Sequence, residues 1–142
     1  MNRELKFRIW CKGTSTNANF NKPRWIQPTD FILLKYYRCF QDVIESDDFV
    51  VQQYTGLKDK NGKEIYEGDI VTYQQPYRSS RLTHPATTDS YRTIKAPVIY
   101  NQDDFTHEID GYALGTSMIK TRKDIEVIGN IFENPELIKS NE

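Results

Sequence analysis

Leu5, Phe7 and Ile9 are separated by Lys6 and Arg8 near the start of the chain. A period of two buries one side of an extended segment and wets the other, and predicts a strand over 4–11. Residues 13–21, rich in Thr, Ser and Asn, read as a loop. Trp25 and Ile26 stand between Pro23 and Pro28, which argues against a helix there. Phe31 to Phe40 is apolar and aromatic, and Val43, Ile44, Phe49, Val50 and Val51 follow, broken by Ser46-Asp47-Asp48. β-branched and aromatic residues favour strands, so 31–40 is read as a strand. A helix is the competing reading, because Ile32, Tyr36 and Cys39 could share one of its faces.

The centre is better defined. Asn61-Gly62 lies between polar flanks and suits a type I′ turn, whose two central residues both take positive φ. Glu67-Gly68-Asp69 is a second turn, after which Ile70-Val71-Thr72-Tyr73 begins a strand. Gln74 to Ala96 carries few aliphatic residues and reads as a long loop. Strand patterns return at Pro97–Tyr100, at Phe105-His107-Ile109, at Tyr112–Leu114 and at Ile125–Phe132. Gly129 marks a bulge or a close approach in the last of these. Pro135 after Asn134 suits the opening of a single helical turn over 135–138. The predicted fold is mainly β: a small, partly open, barrel-like domain with at most short helical turns. Residues 1–142 form one domain in this reading, with 76–96 as a flexible insertion. The predicted core is Phe7, Ile9, Trp25, Val50, Tyr54, Ile70, Val71, Val98, Ile99, Val127 and Ile131.

Composition narrows the class. Aromatics make up 13% of the 142 residues, far from the aromatic-poor composition of disordered chains. Nineteen Lys and Arg against twenty Asp and Glu leave a net charge of -1, without the basic excess of a dedicated duplex-DNA binder. No run approaches the 18 or more apolar residues of a membrane span, and Lys6 and Arg8 interrupt any signal-peptide core. A cytoplasmic protein without membrane contact is expected. Cys11 and Cys39 are read as reduced, buried small hydrophobes.

Little in the sequence points to chemistry. His84, His107, Cys11 and Cys39 match no zinc spacing. Asp103, Asp104, His107, Glu108 and Asp110 form one dense group of ligand types. Strand alternation would turn Asp104, Glu108 and Asp110 one way and His107 the other, and the segment reads as an exposed acidic edge. Gly62-Lys63 is followed by Glu64, which rules out a phosphate loop, and Gly111–Gly115 has no central Ser for a nucleophile elbow. With no catalytic constellation, the chain is expected not to be an enzyme and to carry no cofactor or metal. Two surfaces remain as candidates. Leu57, Lys58, Asp59, Asn61, Gly62, Lys63 and Tyr66 outline a charged hairpin suited to a protein partner or a second copy of the chain. Tyr77, Arg78, Arg81, Tyr91, Arg92 and Lys95 combine Tyr with basic residues, a pairing able to contact phosphates and stack on single-stranded bases.

Three segments carry a family resemblance: Leu5–Trp10, Gln53–Val71 (containing Tyr54-Thr55-Gly56-Leu57-Lys58-Asp59 and Ile65-Tyr66-Glu67-Gly68-Asp69) and Ile125–Leu137. Together they resemble the YopX family of phage and prophage proteins. Residues 77–96 fall outside the matched pattern and look like an insertion. The resemblance implies a small, mostly β protein, encoded by a phage or prophage of Gram-positive bacteria and acting in the host cytoplasm. It brings no catalytic residues to transfer. The function it leaves in view is a non-catalytic protein-interaction module, with a nucleic-acid-associated accessory protein, binding through 76–95, as the alternative.

Overall fold

The alternation at the start of the chain produces strand β1 (Phe7–Cys11), which buries Ile9 and Cys11 on one face. The computed structural model describes residues 4–77, 90–103, 106–110, 112–113 and 124–139. The chain divides into two compact units, Met1–Gly56 and Leu57–Glu142.

In the first unit β1 pairs antiparallel with β2 (Arg24–Ile26) on one side and with β3 (Phe49–Lys58) on the other. Trp10 is matched to Trp25 and to Val50. Two short helices, α1 (Phe31–Tyr36) and α2 (Phe40–Glu45), contribute Leu33 and Val43 to a core with Ile9, Cys11, Phe20, Ile26 and Phe49. The strand expected over 31–40 is therefore not formed. Asp30 supplies the reason: its carboxylate accepts the Ile32 N–H at 2.9 Å and caps α1. Asp42 accepts the Arg38 N–H at 3.0 Å just before α2. The Asp30 cap of α1 and the Asp42 contact before α2 outweigh the β tendency of an aromatic run. Cys39 is exposed rather than buried. Phe20, inside the segment read as a polar loop, is only 1% exposed and sits edge-on to Tyr36, Tyr37 and Phe49.

The last residues of β3 pair with β4 (Glu64–Tyr66). The second unit also holds a five-stranded sheet in the order β8-β7-β6-β5-β9, built from β5 (Asp69–Tyr77), β6 (Ser90–Asn101), β7 (Thr106–Ile109), β8 (Tyr112–Ala113) and β9 (Glu126–Asn130). One of the two sheets curls into a half-barrel. Helix α3 (Glu136–Lys139) packs on β6, close to the expected closing turn. Ile65, Val71, Tyr73, Ala96, Val98, Ile109 and Ile125 form this unit's core. With nine strands and three short helices among the described residues, the chain is mainly β, as its pattern predicts.

Two sequence boundaries shift. Gln74 to Tyr77 and Ser90 to Ala96, both read as loop, belong to β5 and β6, which pair with each other and match Val71 with Ala96 and Gln75 with Arg92. Residues 78–89 lie outside the described residues. Ile99, placed in the core by its apolar character, is 50% exposed, because its neighbour Val98 takes the inward position. Phe7, Trp25, Val50, Val127 and Ile131 are half-buried, while Ile9, Tyr54, Ile70, Val71 and Val98 are buried as expected. At Gly129 both readings are realised. Ile70 pairs with Gly129 but Val71 pairs with Val127, leaving Ile128 as the extra residue of a bulge. A Cβ on Gly129 would lie 2.6 Å from the Asn134 Oδ1.

Candidate functional site

The hairpin that connects β3 to β4 turns over Asp59–Lys63. Gly62 donates to the Asp59 carbonyl at 3.0 Å, and Asp59 donates to the Lys63 carbonyl at 2.8 Å. Gly62 has φ +80°, whereas Asn61 does not take positive φ. The turn is thus a three-residue loop closed by a left-handed glycine, not the two-residue type I′ turn expected from Asn-Gly. A third loop residue relieves Asn61 of positive φ and leaves that demand to Gly62 alone.

The hairpin's charges do not all reach solvent. Asp59 is buried, and its Oδ1 accepts the Asn61 N–H at 2.8 Å and the Lys63 N–H at 2.9 Å. Its Oδ2 accepts the Val127 N–H of β9 at 3.0 Å. Burial pushes this carboxyl up. The N–H groups of Val127, Lys63 and Asn61, with the Lys63 charge, more than reverse that, and hold it below its ordinary value. Lys60 ties the same two elements together: its N–H donates to the Ile125 carbonyl at 2.8 Å and its Nζ lies 2.7 Å from Glu126 Oε2. Leu57 packs against the core, and the Tyr66 hydroxyl donates to Glu64 Oε2 at 2.9 Å. Lys58, Asn61, Gly62 and Lys63 are the exposed members of the predicted surface.

The next turn is built in the same way. Asp69 is buried and its Oδ2 accepts the Tyr66 N–H at 2.8 Å, while Gly68 donates to the Val98 carbonyl and accepts from the Ile131 N–H. Asn130 Oδ1 accepts the Phe132 and Glu133 N–H groups at 3.0 and 2.9 Å. Asp59, Asp69 and Asn130 of the central and C-terminal motifs are thus hydrogen-bonded to backbone, which is work for the fold.

The second predicted surface is divided by its strand. Tyr91, Thr93 and Lys95 alternate with Arg92, Ile94 and Ala96 along β6, so Arg92 lies on the opposite face from Tyr91 and Lys95. Arg92 donates to the Gln75 side-chain oxygen from Nε at 2.8 Å. Tyr91 is exposed. Tyr77 is matched to Ser90 in the β5–β6 ladder, and Arg78 and Arg81 lie outside the described residues.

The acidic segment also separates. His107 is buried with Nε2 2.8 Å from Glu67 Oε1 and its ring edge-on to Tyr100, whereas Glu108 accepts from the Asn101 amide at 2.7 Å. Asp103 and Asp110 are exposed, and Asp104 and His84 lie outside the described residues. Cys11 Sγ donates to the Phe20 carbonyl at 3.4 Å. Among the described residues, no three His, Cys, Asp or Glu side chains gather to hold a metal ion. The His107–Glu67 pair had no sequence signal, since 40 positions separate its members. Among the described residues, no helix is long and apolar enough to cross a membrane.

Two antiparallel β arrangements, accompanied by short helices and closed by Asp-anchored turns, define a small β-rich protein whose motif residues serve its turns. The YopX family model ("YopX protein") matches residues 6–139, nearly the whole length, and the chain belongs to that family. It is similar to the crystal structure of protein EF1440 from Enterococcus faecalis, with 26% identity, a TM-score of 0.53, and coverage of 96% of this chain and 99% of that one. No curated protein matches it.

Proposed function

We propose that this YopX-family chain is a non-catalytic protein-interaction module acting in the cytoplasm of a bacterial host, encoded by a phage or prophage. The observation that carries this reading is the outer side of the short helices. Phe31 is 80% exposed and Leu34 is 57% exposed, three positions apart on α1, while Ile44 projects from α2. Residues at that spacing share a helix face. Leu33 and Val43 already serve the core from the other side, so packing within this unit does not call for the outer residues. Apolar side chains grouped on a surface mark association.

The test compares the wild-type chain with Phe31→Glu/Leu34→Glu by sedimentation velocity, alone and after capture from host lysate. Self-association or a captured protein that disappears in the double variant, with melting temperature retained, supports the module. Identical behaviour of both chains overturns it.

A second reading, nucleic-acid association through β6, is supported by Tyr91 and Lys95 sharing a strand face. Loss of binding to a single-stranded oligonucleotide in Tyr91→Ala/Lys95→Ala would favour it over the first.

A further inference from the structure

The first unit carries a more strongly basic surface than β6 does. Residues 5–29 contain Lys6, Arg8, Lys12, Lys22 and Arg24 and no Asp or Glu. The fold places most of this charge on one side of a sheet. The β1–β3 ladder extends beyond its strand ends, because Tyr54 donates to the Lys6 carbonyl and Lys12 donates to the Asp48 carbonyl, both at 2.9 Å. Residues 6–12 are therefore held extended and in register. Phe7, Ile9 and Cys11 take the core side, and alternation turns Lys6, Arg8, Trp10 and Lys12 to the other.

Aromatic rings are interleaved with these cations. Trp25, matched to Trp10 across the β1–β2 pair, meets it edge-on with ring centroids 4.9 Å apart. The Arg8 guanidinium lies over the Trp25 ring, 4.3 Å from its centroid, and its Nε donates to the Gln52 side-chain oxygen at 2.9 Å. That bond fixes the guanidinium plane. Both indoles are half-buried, so each keeps part of its surface accessible, and Lys12 and Lys22 are exposed. Arg24, matched to Cys11, lies on the other side of the sheet and donates to the Asn19 carbonyl at 2.9 Å. Glu4, at the edge of this stretch, lies 3.1 Å from Lys6.

From this arrangement we infer that the face of β1 and β2 opposite the core binds single-stranded nucleic acid. Cations spaced along a strand follow a phosphate backbone, and indole rings between them offer stacking surfaces to unpaired bases. At roughly 3.3 Å per residue, Lys6 and Lys12 are about 20 Å apart, a length suited to a few nucleotides. A solvated sheet face would need the charges but not two tryptophans. Lys6, Arg8 and Lys12 supply the strand-borne charge of this face, and Glu4 is paired to Lys6 at its edge. The site is separate from the Tyr91 and Lys95 face of β6 and stands independently of the α1 surface.

The test is fluorescence anisotropy of a labelled 15-nucleotide single strand, as DNA and as RNA, with a duplex of the same length as control. The full chain is titrated at 50 and 200 mM KCl while tryptophan emission is followed. At least one single strand is expected to bind more tightly than the duplex, with quenched emission and affinity that falls with salt. Comparison of DNA with RNA identifies the source of the strand. Lys12→Glu/Lys22→Glu, both on exposed positions, is expected to weaken binding tenfold or more with an unchanged melting temperature. Trp25→Leu is expected to weaken it fivefold or more, and Tyr91→Ala/Lys95→Ala to leave it within twofold. Absence of single-strand binding at 50 mM KCl, equal affinity for duplex, unquenched emission, or full binding by the folded Lys12→Glu/Lys22→Glu chain would each overturn the inference. The charge-reversal variant and the emission signal decide the matter even if Trp25→Leu fails to fold.

Discussion

The Asp59 carboxylate holds the Val127 N–H at 3.0 Å across 68 positions of sequence, joining a hairpin turn to strand β9. The same carboxylate closes the turn through Asn61 and Lys63, so one buried side chain serves three donors. Asp59→Ala is expected to destabilise the protein by about 2–3 kcal/mol, because removing the acceptor strands donors that the fold has already desolvated. Asp59→Asn keeps an oxygen but loses the charge, and is expected to cost less. Urea denaturation of the three proteins measures both effects.

The same group makes a pH prediction. Its folded carboxyl lies below the ordinary value near 3.8, so ionised Asp59 stabilises the fold. That contribution is complete above the unfolded value, is lost as pH falls from about 4 through the folded value, and is absent below it. The stability gap between wild type and Asp59→Asn is therefore expected to narrow as the pH is lowered below about 4. Urea midpoints for both chains between pH 7 and pH 2 test this, and a constant gap would remove the carboxylate from the acid response.

Gly129→Ala is expected to destabilise the C-terminal turn by about 1–3 kcal/mol, the cost of overpacking a close contact. The new methyl would meet the Asn134 side chain, with Oδ1 at 2.6 Å and Cγ at 2.9 Å. Asn134→Ala removes those atoms. The double variant is expected to be more stable than the sum of the two single changes allows, and a thermodynamic cycle by thermal denaturation detects the coupling.

Phe20→Ala is expected to cost about 3–5 kcal/mol, the usual loss for a large aromatic side chain removed from a core. Phe20 lies among Tyr36, Tyr37 and Phe49, with the Phe49 ring centroid 5.2 Å away. Near-ultraviolet circular dichroism is expected to lose aromatic signal along with stability. A loss under about 1 kcal/mol would mean that this loop is peripheral.

Gly62→Ala is expected to cost about 1–2 kcal/mol through its left-handed backbone, since a side chain there is strained even though a Cβ at Gly62 meets nothing within 4 Å. Gly62→Asn is expected to be milder, because Asn visits that region more readily. Calorimetric melting of both variants ranks them.

Strand character, the mainly β class, the bulge at Gly129 and the family were legible along the chain. Alternation, β-branched runs and turn residues are local signals that act over a few neighbouring residues. Where two adjacent apolar residues competed, as in Trp25-Ile26 and Val98-Ile99, the pattern could not choose the inward one. The sheet partner decided that, and put Ile26 and Val98 inside. Helices α1 and α2 depended on caps from Asp30 and on the contact of Asp42 with Arg38, which outweighed an apolar run that looked extended. The sequence by itself determined which segments could alternate and turn. Only the tertiary structure decided what their charges do. Asp59 reads as one solvated acid among lysines until Val127 arrives from β9 to share its carboxylate. Arg8, Trp10 and Trp25 become one surface only when β2 folds back on β1. Both outcomes rest on hydrogen bonds and ring contacts between residues far apart in the chain, and no local pattern encodes such contacts.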